Sequence, residues 1–401
     1  MKRLIEEFSQ LRYMNWFLNI IILLLLVCSV AFVFSACNIA DEQSARPMYK
    51  KQIVWAVLGV FCYLFFAAYD YRNVRKHSWW LYGLSLVLLV LVLIIGKKVY
   101  GARRWLEMGA GFAIQPSELA KLAVIFVLSR RLSRPGVSLG DLNSIGYVVG
   151  IIALPMVLIM AQPDLGSAMI MVPIAFLMMF AAGLPMRYVM YLVLAGAVAG
   201  STLVGALFVP QKLGASKETQ AKICKIVGVS EYHRDRIMVF INADVDPLGA
   251  GWNKIQSEIA VGSGGIWGKG YTKGTQNILG YLPKSVAHTD FIYAVIAEEK
   301  GFAGAFGVIL LFGALIITGL STAVMARDKF GRMLCIGITS MLFMHVSVNI
   351  AMTIGLFPIT GIPLPLLSYG GTFMLVMMCL LGILQSVYIR SKHASFSDFT
   401  S

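Results

Sequence analysis

The feature that most limits this chain is a series of apolar runs separated by short polar breaks. Each run is near the ~20 residues that cross ~30 Å of hydrocarbon as a helix. They predict ten spanning helices, near 16–36, 52–69, 78–95, 116–129, 145–161, 167–183, 188–209, 302–325, 333–355 and 369–389, of which the fourth and sixth are short. Lipid leaves unpaired backbone groups unsatisfied, so repeated apolar runs of this length predict an all-α polytopic membrane protein. Composition agrees, with 58% of the 401 residues hydrophobic and 13% charged. A soluble body of this size needs more charge to cover its surface. No cleavage pattern precedes the first run, which is too long and too apolar for a removable signal.

In a soluble protein the net charge of +14 would suggest a nucleic-acid partner. In a membrane protein much of it reports topology, and no nucleic acid is expected. With the N-terminus inside, the inner segments hold Lys2, Arg3, Arg12, Arg72, Arg75, Lys76, Arg130, Arg131 and Arg134 among others. That is roughly twice the Lys and Arg of the short outer loops, which is the bias that sets orientation. The expected topology is one transmembrane domain, 1–401, with cytoplasmic ends 1–15 and 390–401. One long extracytoplasmic loop, 210–289, joins helices seven and eight. Cys28, Cys62, Cys335 and Cys379 read as packing residues, while Cys37 and Cys224 share the outer side without a spacing that demands a disulfide. No CxxC, His-rich tract or Walker loop supports a structural metal or nucleotide site.

The stretch 281–300, YLPKSVAHTDFIYAVIAEEK, returns the chain from the polar loop to the membrane. His288, Thr289 and Asp290 meet the apolar Phe291–Ile292–Tyr293 there. A carboxylate beside a low-dielectric wall is poorly solvated, gains proton affinity and becomes a candidate general base. The competing reading is a helix N-cap. On a helix, Asp290, Ala294 and Glu298 would share one face. Arg103 and Arg104 lie in a short outer loop, where cations are unfavoured, and suggest an anion such as phosphate, or else lipid headgroups or Glu107. Pro116 opens the fourth run, and Glu118 and Lys121 are spaced to pair on one helix face at a depth where ionisable groups usually face a cavity. Asp164 sits in the outer turn 161–166, either closing it or joining a site.

Within the long loop, Tyr232–Phe240 and Lys254–Val261 read as short surface helices. Gly262–Gly270 is a glycine-rich loop whose amides have the freedom to approach a phosphate. Asp244 and Asp246 form an Asp-x-Asp pair, a weak metal signal. Pro358, Pro363 and Pro365 stiffen the last outer loop, and Asn349 reads as interhelical glue.

The blocks QPSELAK (115–121), QPDLG (162–166), DPLGAGW (246–252), GSGG (262–265), KGTQ (273–276), HTDFIYAVIAEEKG (288–301) and GIPLPLLSYGG (361–371) resemble the signature of the SEDS family, and more its RodA (elongation) branch than FtsW. The resemblance implies a peptidoglycan glycosyltransferase that polymerises lipid II on the outer face of the bacterial cytoplasmic (inner) membrane. Asp290 matches the family's catalytic acid, Glu118 and Lys121 its cavity pair, Asp164 its outer-loop acid, and Arg104 the arginine before Trp105. Lys284 departs from the acid usual there. The candidate substrate-binding set is therefore Arg103, Arg104, Glu118, Lys121, Asp164, Thr289 and Glu298, around Asp290 as general base in an inverting transfer. The implied partners are lipid II, undecaprenyl-diphosphate-linked glycan, a class B penicillin-binding protein as transpeptidase, and the elongation machinery. No residue set is assigned to a metal, and a divalent cation, Mg or Mn, stays open as cofactor. The alternative function is a flippase for the lipid-linked precursor, which the absence of a helix repeat disfavours.

Overall fold

The computed structural model describes residues 10–37, 47–99, 102–107, 113–212, 231–242, 246, 249–282 and 284–400. In chain order a 3₁₀ turn precedes α1 (Trp16–Cys37), α2 (Pro47–Ala68) and α3 (Tyr71–Ile95). Three short strands follow, β1 (Lys97–Val99), β2 (Ala102–Glu107) and β3 (Ala113–Ile114), then α4 (Pro116–Leu132), α5 (Leu142–Met160), α6 (Leu165–Ala181) and α7 (Met186–Lys212). The long-loop region contributes α8 (Glu231–Ile241), α9 (Ala250–Ser263), α10 (Thr275–Ile278) and α11 (Lys284–Ala287). The chain closes with α12 (Ile292–Met325), α13 (Lys329–Thr353) and α14 (Gly371–Thr400).

Among the described residues, eight helices are long and apolar enough to cross a membrane: α1, α2, α3, α5, α7, α12, α13 and α14. The other two expected runs, α4 and α6, form helices of 17 residues each. Four helices start on an aspartate whose side chain accepts from a backbone amide inside the first turn. Asp70 accepts from Arg72, Asp141 from Asn143, Asp164 from Ser167 and Asp328 from Gly331. Each such cap satisfies an orphan donor and contributes about 1 kcal/mol.

Two local structures escaped hydropathy. The strands form an antiparallel sheet in the order β1-β2-β3, with Lys97 opposite Trp105 and Lys98 opposite Arg103. Strand alternation sends the adjacent Arg103 and Arg104 to opposite faces. The second is a break in α12 at Gly301, whose φ of 65° and ψ of −165° interrupt the helix. The expected span began at 302; the helix instead starts at Ile292 and runs through this break. The glycine-rich loop fills it, since Phe302 and Ala303 donate to Gly265 and Ile266, while Lys269 and Gly270 donate to the carbonyls of Glu298 and Glu299. The amides of Lys269 and Gly270 are therefore spent on backbone. Gly301 is required because the backbone of Gly268 and Ile266 occupies the space of a Cβ.

The protein is assembled around α4, which packs on α3, α5, α6, α13 and α14. Nearly all its length is buried, Glu118 and Lys121 included. That placement carries polar groups into the interior at the level where α12 begins.

Candidate functional site

A cavity of about 480 Å³ gathers residues from eight parts of the chain. Arg104 and Trp105 come from β2, Gln115, Glu118 and Lys121 from the start of α4, and Asp164 and Ser167 from the start of α6. Arg236 and Asn253 come from α8 and α9, Thr289 and Asp290 from the turn before α12, and Gly361, Tyr369 and Phe373 from the last loop and α14.

Asp290 precedes its helix and is not the cap. The Val286 carbonyl accepts from the amides of Thr289 (3.2 Å), Asp290 (3.0 Å) and Phe291 (3.1 Å), curling the turn so that the carboxylate lines the cavity. Asn349 pins this turn to the last loop. Its Nδ2 donates to the Asp290 carbonyl at 2.9 Å and to the Ile362 carbonyl at 2.7 Å, so the interhelical role read from sequence acquires a definite target. Ser368 Oγ donates to the Thr289 carbonyl at 2.5 Å, and the Tyr369 amide to that of His288 at 2.9 Å. Burial pushes the Asp290 carboxyl above the usual carboxylate range. Arg236, a hydrogen bond from Thr289 and Arg104 pull it down in part, and Asp164 adds to the rise. The side chain is only half-buried because it faces the cavity, yet protein surrounds it on every other side.

Gly361 sets how close the charges come. A Cβ on it would stand 3.2 Å from Asp290 Oδ2 and 3.5 Å from Arg236 Nη1, and its φ is +72°. Arg236 is held by donating to the Ile359 carbonyl at 3.0 Å. Arg104 donates from Nε to the Gln162 carbonyl at 3.3 Å and from Nη2 to that of Pro163. Asp164 is buried and accepts from Gln115 Nε2 at 3.3 Å and Ser117 Oγ at 3.4 Å. Deeper, Lys121 Nζ lies 2.8 Å from Glu118 Oε1 and 3.1 Å from His345 Nε2. The imidazole Nδ1 donates to the Met341 carbonyl at 2.9 Å, which leaves Nε2 to accept from the ammonium.

The structure thus brings together Arg104, Glu118, Lys121, Asp164, Thr289 and Asp290. Two expected members stand apart. Arg103 is exposed and donates to the carbonyls of Leu93 (3.1 Å) and Ile94 (3.0 Å), where it satisfies the end of α3. Glu298 pairs with Lys269 at 2.7 Å and accepts from Thr275 Oγ1 and the Gln276 amide, fastening the glycine-rich loop. The helix-face argument for it fails because Asp290 lies ahead of the first helical turn. Arg236 and His345 were missed, since nothing marks one of the ten Lys and Arg of a long loop, or a histidine in an apolar run, as meeting a remote acid or ammonium. Among the described residues no three His, Cys, Asp or Glu side chains group to hold a metal. Asp244 and Cys224, and so the Asp-x-Asp pair and the pairing considered for Cys37, lie outside the described residues.

Comparison with known proteins gives the family. A family model described as "Cell cycle protein", grouping FtsW, RodA and SpoVE, matches residues 13–393. The chain is 36% identical over 378 residues to the peptidoglycan glycosyltransferase MrdB of Escherichia coli (strain K12), covering 94% of each. It is 33% identical to the peptidoglycan glycosyltransferase RodA of Treponema pallidum (strain Nichols), covering 94% of this chain and 98% of that one. Among solved structures, a chain from work on the coordination of polymerization and crosslinking by a peptidoglycan synthase complex superposes with a TM-score of 0.74 at 26% identity. That match covers 94% of this chain and 98% of the other. The chain belongs to the FtsW/RodA/SpoVE family of cell cycle proteins, the SEDS family, and four of the sequence blocks that carry the resemblance line its cavity.

Proposed function

We propose that this chain is a peptidoglycan glycosyltransferase of the RodA branch, polymerising lipid II during elongation. The observation that carries this reading is a half-buried carboxylate, Asp290, in one cavity with three cations, Arg104, Lys121 and Arg236. A sugar hydroxyl is a poor nucleophile until a base takes its proton. Asp290 accepts the proton of the acceptor's 4-hydroxyl as that oxygen attacks the donor's anomeric carbon with inversion. The bond to the lipid diphosphate breaks, and the charge developing on the leaving group falls to Arg104, Lys121 and Arg236. Glu118 and His345 hold the Lys121 ammonium in place, and Asp164 orders Gln115 and Ser117 at the rim. One base suffices, so Glu298 keeps its structural task.

An apolar trough of about 890 Å³ runs alongside, lined by Trp55, Phe66, Leu119, Leu122, Leu375 and Ile383 among others. Leu119 and Leu122 of α4 line this trough, while Glu118 and Lys121 of the same helix line the polar cavity. A substrate with a polar head and a long hydrocarbon tail fits that division. Magnesium needs one or two carboxylates plus phosphate oxygens, and Asp164, which lines the cavity, is the group that would hold it beside a diphosphate, where it would neutralise charge and leave Asp290 to the proton.

The full topology belongs to this proposal: a single domain of ten crossings, α4 and α6 included, with both termini cytoplasmic and the cavity opening outward. So does a class B penicillin-binding protein as partner, which the likeness to a chain of a peptidoglycan synthase complex supports. The test reconstitutes the protein in liposomes and offers fluorescent lipid II on one face. Glycan strands on a gel are expected, with about a 10³-fold loss in Asp290→Asn. Translocated monomer without polymer would favour the flippase instead. Because burial disfavours the ionised form, stability contributed by a neutral group here is lost as pH rises from the ordinary carboxylate range through the raised value. Asp290→Asn therefore melts no lower than the parent at neutral pH, which separates lost chemistry from lost fold. Strands made at the parental rate by that variant would refute the assignment.

A further inference from the structure

Arg332 and Lys329 lie at the opposite end of α13 from His345 and Asn349. There a second opening of about 640 Å³ lies between α6, α12 and α13. Its walls are largely apolar, with Leu177, Phe180, Ile316, Leu320, Ile336 and Phe343 prominent beside the hydroxyls of Thr339 and Ser340, and Arg332 stands at one end. Arg332 is in the first turn of the helix capped by Asp328, which the proposed topology puts at the cytoplasmic boundary of the bilayer. The side chain is exposed, and among the described residues its guanidinium forms no ion pair. Arg327 and Lys329 are close in sequence and add positive charge at the same boundary.

The dimensions select the ligand. From Arg332 to Phe343 the helix climbs about 16 Å at ~1.5 Å per residue, which is about half of a ~30 Å hydrocarbon core. The opening therefore runs the depth of one leaflet, from a cation at the headgroup level to the Phe343 ring near the midplane. An apolar wall alone would accept any acyl chain, and the cation adds a preference for a negatively charged headgroup. We propose that this opening is a binding site for one anionic phospholipid of the surrounding bilayer, its phosphate on Arg332 and an acyl chain along α13 toward Phe343. The site shares no residue with the cavity around Asp290 and does not depend on the proposed glycosyl transfer.

The test uses the full chain, purified in neutral detergent and incubated with dioleoyl phosphatidylglycerol or dioleoyl phosphatidylcholine, with retained lipid counted by native mass spectrometry. The parent retains phosphatidylglycerol in preference to phosphatidylcholine. Arg332→Gln lowers phosphatidylglycerol retention about fivefold, the effect of one cation at the headgroup level, and leaves phosphatidylcholine unchanged. Ala181→Trp, at an exposed position lining the opening, reduces retention of both lipids by filling it. Equal retention of the two lipids by the parent, or a preference that survives both substitutions, overturns the site. No lipid II enters this measurement, so its failure is distinguishable from failure of the enzymatic reading.

Discussion

Helices α4 and α7 sit in the same protein and have opposite surroundings. Helix α7 is apolar, runs 27 residues, and none of its described residues is buried. Helix α4 is shorter, carries Glu118, Lys121, Arg130 and Arg131, and is buried along nearly its whole length. In water the order would be reversed. Lipid tails are as apolar as leucine, so burying an apolar helix gains little, while polar groups find partners only inside. Positions inside this protein therefore go to the helix with charges to satisfy.

The largest expected effect tests that contrast at its centre. Lys121→Met keeps the length of the side chain and strands the Glu118 carboxylate, and breaking a buried pair this way costs about 3–5 kcal/mol. Unfolding of the detergent-solubilised variant measures it, and Glu118→Leu combined with Lys121→Met recovers part of the loss. A single variant as stable as the parent would break the comparison. Next, Gly361→Ala forces a side chain into φ +72° and against Asp290 and Arg236. Misplacing a catalytic group by this much lowers the polymerisation rate about 10²-fold, seen in kcat from strand assays.

Smaller is Arg236→Gln, which loses a charged hydrogen-bond donor beside Asp290 and slows strand synthesis about tenfold. Its signature is in the pH profile. The base acts ionised, so the rate rises as pH climbs through the Asp290 pKa, which burial already holds above the usual carboxylate range. Arg236 pulls that value down, so removing it moves the acid limb to higher pH. An unmoved limb would show that the arginine does not act through Asp290. The smallest effect is on α7, where Val193→Ala trims an exposed side chain and changes stability by less than about 0.5 kcal/mol.

Much of the cavity was legible beforehand because its members break a local pattern. Glu118 and Lys121 stand out as charges inside an apolar run, and Asp290 as an acid at its threshold. The glycine-rich loop misled for the opposite reason. Freedom of the backbone says that something approaches closely, and here it is the broken helix at Gly301 instead of an anion. Arg103 was grouped with Arg104 by adjacency, which a strand undoes by turning alternate side chains to opposite faces.

Sequence alone determined the membrane class and the approximate place of each apolar helix, since the thickness of a bilayer acts on each run separately. It determined the threshold acid as well, because that boundary is local. Only tertiary structure decided which helices face lipid, that Glu298 serves a kink, and that Arg236 and His345 meet the site from distant segments. Hydropathy scores lipid and protein interior alike, and an ion pair between remote residues leaves no trace in the spacing of either.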